Sequence, residues 1–200
     1  MVSIAEKQKM RLIMLRIAVV AGAAVMLMGA SLGSAQADEA KADAGVTIEV
    51  FDTGRMVAPK QWKTVQPKIS MIQYEFSAAA TDQDETARIT MMSATGSIEA
   101  NIERWKGQFR LAGDEAFKTE TETVAGHTVH IVDLVGTFKE TMGGPFAGGR
   151  VVEREDYAMV GSIVVDSKDR KFFIKMTGPA AVVKANRDAF VAMLKGLEKK

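Results

Sequence analysis

Apolar positions change period several times along the chain, and each change marks an element. Val46-Thr47-Ile48-Glu49-Val50-Phe51 alternates apolar with polar, the period-two signature of a half-buried strand. Pro59-Lys60-Gln61-Trp62 predicts a turn that delivers a large anchor. Alternation resumes over residues 69–77, with Ser70, Ile72, Tyr74 and Phe76 on one face and Met71, Gln73 and Glu75 on the other. The polar stretch 81–85 leads into residues 86–92, whose inner face carries Ile89 and Met91. The two runs predict a hairpin.

The period then lengthens. Ser97 is placed to accept a backbone hydrogen bond at a helix start, with Glu99 near the positive end of the dipole. Ile98, Ile102, Trp105 and Phe109 recur at helical spacing, while Glu103, Arg104 and Lys106 lie off that face. Residues 120–124 and 128–135 flank Ala125-Gly126, a second hairpin signal, and residues 157–165 and 172–176 flank a third turn at 166–170. A closing helix opens at Gly178-Pro179, where the missing N–H of proline is harmless in the first turn. Its apolar face carries Val183, Phe190, Met193, Leu194 and Leu197, with Lys195, Lys199 and Lys200 at its negative end. Strands, a helix, four strands and a helix predict an α+β domain, an antiparallel sheet flanked by helices.

The N-terminus follows a different logic. Lys7, Lys9, Arg11 and Arg16, relieved only by Glu6, precede an uncharged apolar run over residues 17–33. Small residues at Ala35 and Ala37, just before Asp38, suit the narrow pocket of a signal peptidase. Residues 1–37 are therefore expected to be an export signal. Residues 38–45 are expected to form a flexible leader, and residues 46–200 one domain, periplasmic or secreted. The rival is an uncleaved anchor, since about 17 apolar residues sit at the lower edge of a membrane span. The chain has no cysteine, which excludes a lipid-modified cysteine as an anchor. Removing 37 residues leaves 163, enough to bury about 70% of the unfolded surface without disulfides.

Cleavage changes the charge. The removed head holds four basic residues and one acidic residue, so a net +1 becomes −2. Such a chain lacks the basic stripe that phosphate backbones require, and nucleic acid is not an expected partner.

Certain stretches resemble a known group. The early Pro59-x-x-Trp62 turn, the mid-chain helix and the closing Phe190-Val191-Ala192-Met193-Leu194 resemble the PsbP-like superfamily, which includes PsbP and the DcrB-like exported domains. Asn101-Ile102-Glu103-Arg104-Trp105 with Gly107-Gln108-Phe109 is similar to a set of exported bacterial proteins. The same holds for Gly143-Gly144-Pro145-Phe146-Ala147-Gly148-Gly149 and for Phe173-Ile174-Lys175-Met176-Thr177-Gly178-Pro179. The resemblance implies a sheet between helices (an α-β-α sandwich) and a non-enzymatic, partner-binding role; it supplies no ligand.

Candidate chemistry is sparse. Gly29-Ala30-Ser31-Leu32-Gly33 spells a nucleophile elbow, but it lies in the expected signal rather than in a strand-to-helix turn. His127 and His130, the only histidines, fall on opposite faces of one strand. His127 shares a face with Asp133, about 20 Å away along the strand, too far to touch. Asp82, Asp84 and Glu85 lack the glycine and distal glutamate of a calcium loop. Glu120 with Glu122 reads as an ordinary exposed pair. No catalytic, cofactor-binding or metal residue is assigned, and no cofactor is expected.

The unusual stretch is residues 141–149, where four glycines bracket Pro145 and Phe146. Met142, Pro145 and Phe146 are the candidate partner contacts, because an aromatic on a glycine-flanked loop suits an interface anchor. The competing reading is that Phe146 folds back onto the sheet. Three functional readings stand: a binding or accessory domain docking an envelope protein or small ligand, an enzyme with carboxylates in a cleft, and a carrier of a small apolar ligand.

Overall fold

The computed structural model describes residues 45–142 and 150–200, all within the second of the two units into which the chain divides, Ala40–Lys200. Ala35, Ala37, Asp38, Pro145 and Phe146 lie outside the described residues, as do the expected signal and all of the leader but Gly45.

In chain order the elements are β1 (Thr47–Val50), β2 (Gly54–Val57), β3 (Lys63–Val65), β4 (Tyr74–Ala78), β5 (Ala87–Ala94), α1 (Ile98–Gly107) and β6 (Phe109–Leu111). A single 3-10 turn, Asp114–Ala116, precedes β7 (Phe117–Val124), β8 (His127–Met142), β9 (Arg150–Val165), β10 (Lys171–Pro179), α2 (Ala180–Lys195) and β11 (Glu198–Lys199). Among the described residues the strands form two sheets, three-stranded β1-β2-β11 and eight-stranded β3-β4-β5-β10-β9-β8-β6 with β7 also on β8. Every pairing is antiparallel. This is the α+β architecture that the run of hairpins predicts.

Turn chemistry sets the registers. Ala125 and Gly126 adopt φ of 51° and 79°, the two left-handed positions of a tight hairpin turn joining β7 to β8. β8 is long enough to take two partners on one edge, β7 against residues 127–134 and β6 against residues 136–138. Within the β6 stretch, on the opposite edge against β9, the register shifts between Gly136 and Phe138. A Cβ on Gly136 would lie 2.2 Å from the Arg110 carbonyl oxygen, so only glycine lets β6 close against this bulge.

Side-chain alternation divides the core in two. On β10, Phe172, Ile174 and Met176 enter one cluster and Phe173 the other; on β9, Val160 and Val164 alternate with Met159 and Ile163. The first cluster also takes Val182, Val183, Phe190 and Leu194 of α2, with Trp62, whose indole N–H donates to Asn186 at 3.1 Å. The second takes Trp105 of α1, edge-on to Phe173 at 5.3 Å. The indole packs close over the sheet because position 161 is glycine: a Cβ there would come within 2.7 Å of the ring.

Four expectations need correction. α1 ends at Gly107, and Phe109 is the first residue of β6, still buried against Phe138. The strand expected over residues 69–77 begins at Tyr74; before it, Ile72 N–H closes a turn on Ile69. Leu197 is buried beyond α2, and residues 198–199 form a strand with β2 rather than a helix end. β9 starts at Arg150, seven residues before the alternation becomes legible. Residues 139–142 and 150–153 form a two-stranded ribbon with, among the described residues, no third strand beside it and no buried face to write a pattern.

Candidate functional site

The groove-forming face of the large sheet is the one that carries α1. Along it lie Arg88, Thr90 and Met92 of β5, Phe173, Lys175 and Thr177 of β10, and Tyr157 of β9. α1 covers only part, and two adjoining cavities of about 420 and 210 Å³ remain beside it. They share Arg88, Thr90, Gln108 and Lys175, so Lys175 stands where they meet, on the central strand. The smaller cavity is walled by Ile69, Met71, Ile72, Met92, Trp105 and Phe173; the larger is lined mostly by polar groups, with the stacked rings of Phe138 and Tyr157 at one side.

Charge in this groove is unbalanced. Arg88 is spent on Glu75, with its guanidinium forked onto both carboxylate oxygens at 2.8 and 3.0 Å. Arg104 donates to the neutral Asn101 amide oxygen at 2.9 Å, and Asn101 in turn donates to the Thr95 and Ser97 carbonyls. Lys175 has only a long contact of 3.4 Å to the Gln108 amide oxygen. Among the described residues neither Arg104 nor Lys175 meets a carboxylate. Burial pushes the Lys175 ammonium down from 10.5 to about 8, and the nearby Arg104 and Arg88 push the same way. The Thr177 hydroxyl, next on this face, is buried without a hydrogen-bond partner.

The sequence readings fall as follows. His127 is buried on the opposite face; its Nδ1–H donates to the Ala125 carbonyl at 3.3 Å and its Nε2 meets the Thr53 hydroxyl at 3.2 Å, so both ring nitrogens are engaged in a turn. His130 contacts the Thr121 hydroxyl at 3.0 Å, and its pKa is lowered by burial against the raising influence of Glu99. Asp133 is forked by Arg187 of α2 at 2.9 and 2.7 Å; Glu120 also reaches Arg187, and Glu122 reaches Lys195. Glu120 and Glu122 are thus strand-to-helix ion pairs, not an acid–base couple. Asp82, Asp84 and Glu85 stay exposed in their turn, and among the described residues no group of three metal-ligating side chains converges.

Shifted carboxylates lie elsewhere. Burial raises Asp166, but the Arg170 side chain and the backbone N–H groups of Arg170 and Lys168 outweigh it and hold the carboxyl below its usual value. Arg170 also binds Asp52, holding it down to about 2 chiefly through that hydrogen bond, and stacks 4.4 Å over the Phe51 ring. This cluster ties the β1–β2 turn to the β9–β10 turn. Both acids move away from the near-neutral range that general acid–base work needs.

Of the expected contacts, Met142 alone is described: it ends β8, exposed and opposite Arg150. The loop itself lies outside the described residues. Sequence reading missed Lys175 although it sits in the stretch 173–179. The signal was available: it is the single charge in the run Phe172-Phe173-Ile174-Lys175-Met176, and alternation puts it beside Phe173 on a core-facing side.

Searched against family models and against curated proteins, the sequence finds no match in either. Among solved structures the chain is similar to cyanobacterial PsbP (CyanoP) from Synechocystis sp. PCC 6803, in its solution structure. The TM-score is 0.48 at 9% identity, covering 78% of this chain and 93% of that one. No residue role is carried over from it.

Proposed function

We propose that this chain is an exported binding or accessory domain with PsbP-like α-β-α layering, working by holding a ligand or partner rather than by turning one over. The observation that carries the reading is the groove beside α1, where two cations without carboxylates and an unpartnered hydroxyl converge on concave surface. An enzyme reading would call for a carboxylate raised in that groove, whereas the shifted acids are lowered ion-paired ones at the far turns. A carrier of purely apolar cargo would call for a cavity without convergent charge. Export rests on the basic head, the apolar run and the Ala35-Gln36-Ala37 box.

Hydrogen exchange tests it. In envelope extract, amides of β5 and β10 and the Gln108 side chain should exchange more slowly than in buffer, and Lys175→Glu should erase the difference. Exchange unchanged by the extract overturns the groove as the working surface.

A second contact surface is favoured by Met142 and Val151, exposed apolar residues at the end of the β8–β9 ribbon. Met142, Pro145 and Phe146 are the residues we assign to it. Phe146→Ala should leave stability within about 0.5 kcal/mol while weakening partner capture; a large stability loss would put Phe146 in a core instead.

A further inference from the structure

We propose that the groove binds an amphiphilic organic anion, its acidic head on Lys175 and Arg104 and its apolar body along Ile69, Met71, Met92 and Trp105. The inference rests on the binding-module reading and deepens it by naming the ligand class.

Three observations point the same way. First, charge: Arg88 is neutralised by Glu75, which leaves Lys175 and Arg104, both lining the smaller cavity, without a carboxylate partner among the described residues. Lys175, withdrawn from water, is unfavourable as a cation without a counter-charge, and an anionic head supplies one within reach of the exposed Arg104. Second, apolar surface lies beside the charge. The cavity of about 210 Å³ that holds Lys175 and Arg104 is also lined by Ile69, Met71, Ile72, Met92, Trp105 and Phe173, so a head bound there has an apolar slot next to it. Third, the rim of that slot is already apolar and wet. Ile69 is 50% and Met71 65% exposed, on the non-strand segment that precedes β4. Thioether and aliphatic side chains in water beside a slot are what an alkyl or aryl body would cover. The Thr177 hydroxyl lies on the same face, one strand repeat beyond Lys175, as a further donor toward the head.

The head is a carboxylate or a phosphate monoester; both present oxygens to an ammonium and a guanidinium. A cationic amphiphile is excluded by the same charges.

The test uses protein recovered from the cell exterior and four probes, each below its micelle threshold: decanoate, decyl phosphate, decyltrimethylammonium and inorganic phosphate. Binding is read from the amide spectra of the Trp105 indole and the Gln108 side chain. Decanoate or decyl phosphate should shift both signals saturably, and whichever binds tighter identifies the head. Lys175→Met and Arg104→Gln should each weaken that binding at least tenfold. Equal binding of decyltrimethylammonium, or affinity unchanged in both variants, overturns the inference. Inorganic phosphate binding as tightly as decyl phosphate overturns the apolar half of it. Envelope extract that protects the groove while no decyl anion binds refutes this ligand class and leaves the binding module standing. Decyl anions that bind while extract protects nothing leave the ligand chemistry standing and overturn the proposed function.

Discussion

Lys175→Met should make the protein more stable at neutral pH, against the usual direction of a core-facing substitution. The lysine sits on the central strand with burial and two arginines opposing its charge, and Glu75 on β4 is taken by Arg88. Folding lowers its pKa from 10.5 to about 8, a shift that corresponds to roughly 3 kcal/mol at 1.36 kcal/mol per unit. The side chain keeps a wet edge in the groove, so an effect of roughly 1–2 kcal/mol is the realistic expectation. The sign follows from proton counts. Below pH 8 both states hold the proton and the folded state bears the full penalty. Between about 8 and 10.5 the unfolded chain holds more protons, so stability rises with pH; above 10.5 the penalty is gone. Methionine keeps the unbranched stem and removes the charge. Urea denaturation of both proteins from pH 7 to pH 10 should show the variant ahead at pH 7 and the gap closing as pH rises. A gap that ignores pH, or a variant less stable at pH 7, would refute the claim that Lys175 is held charged against its surroundings.

Three further outcomes follow from the packing and the ion pairs. Trp105→Ala should cost roughly 3–5 kcal/mol, since the indole is 2% exposed and fills the seat over Gly161; an unchanged urea midpoint would mean that the seat is not part of the core. Asp166→Asn should cost roughly 1.5–3 kcal/mol at pH 7, because a buried ionised acceptor of two backbone N–H groups and Arg170 is lost. Its lowered pKa means that this contribution is present above 3.8 and disappears as pH falls through the folded value, so the variant's deficit should shrink in acid; a deficit constant down to pH 2 argues against it. Protein recovered from the cell exterior should begin at Asp38 on N-terminal sequencing, and recovery of Met1 on that form would make residues 17–33 an anchor.

What could be read from the sequence was whatever had a buried side. Ile89, Met91, Phe172 and Ile174 alternate because one face of their strands meets α2, and each of those hairpins is where the pattern puts it. The ribbon of β8 and β9 was illegible beyond Val135 and before Tyr157 because Lys139, Glu140, Glu153 and Arg154 face water on both sides, and a strand without a dry face has no period. Phe109 kept the helical spacing of Trp105 by coincidence: the chain leaves α1 at Gly107 and re-enters the same cluster from β6. The groove was harder still. Arg104 could be placed off the apolar face of its helix, but that Arg88 is neutralised while Lys175 is not depends on which residue stands across β4 and β5, a fact of register rather than of composition.

The position of β10 also has a kinetic meaning. The strand begins at Lys171, late in the chain, yet it lies in the middle of the sheet, between β5 and β9. Until it emerges, the β3–β5 block has no hydrogen-bonded link to the β6–β9 block among the described residues, and the β5–β10 pairs that join them, such as Lys171 with Ala94, span about half of the domain in sequence. Closure of such non-local pairings is slow, and it cannot begin before β10 itself has been made. A growing chain therefore keeps the two blocks apart until β10 is available. The edges of β5 and β9 are exposed to mispairing during that interval.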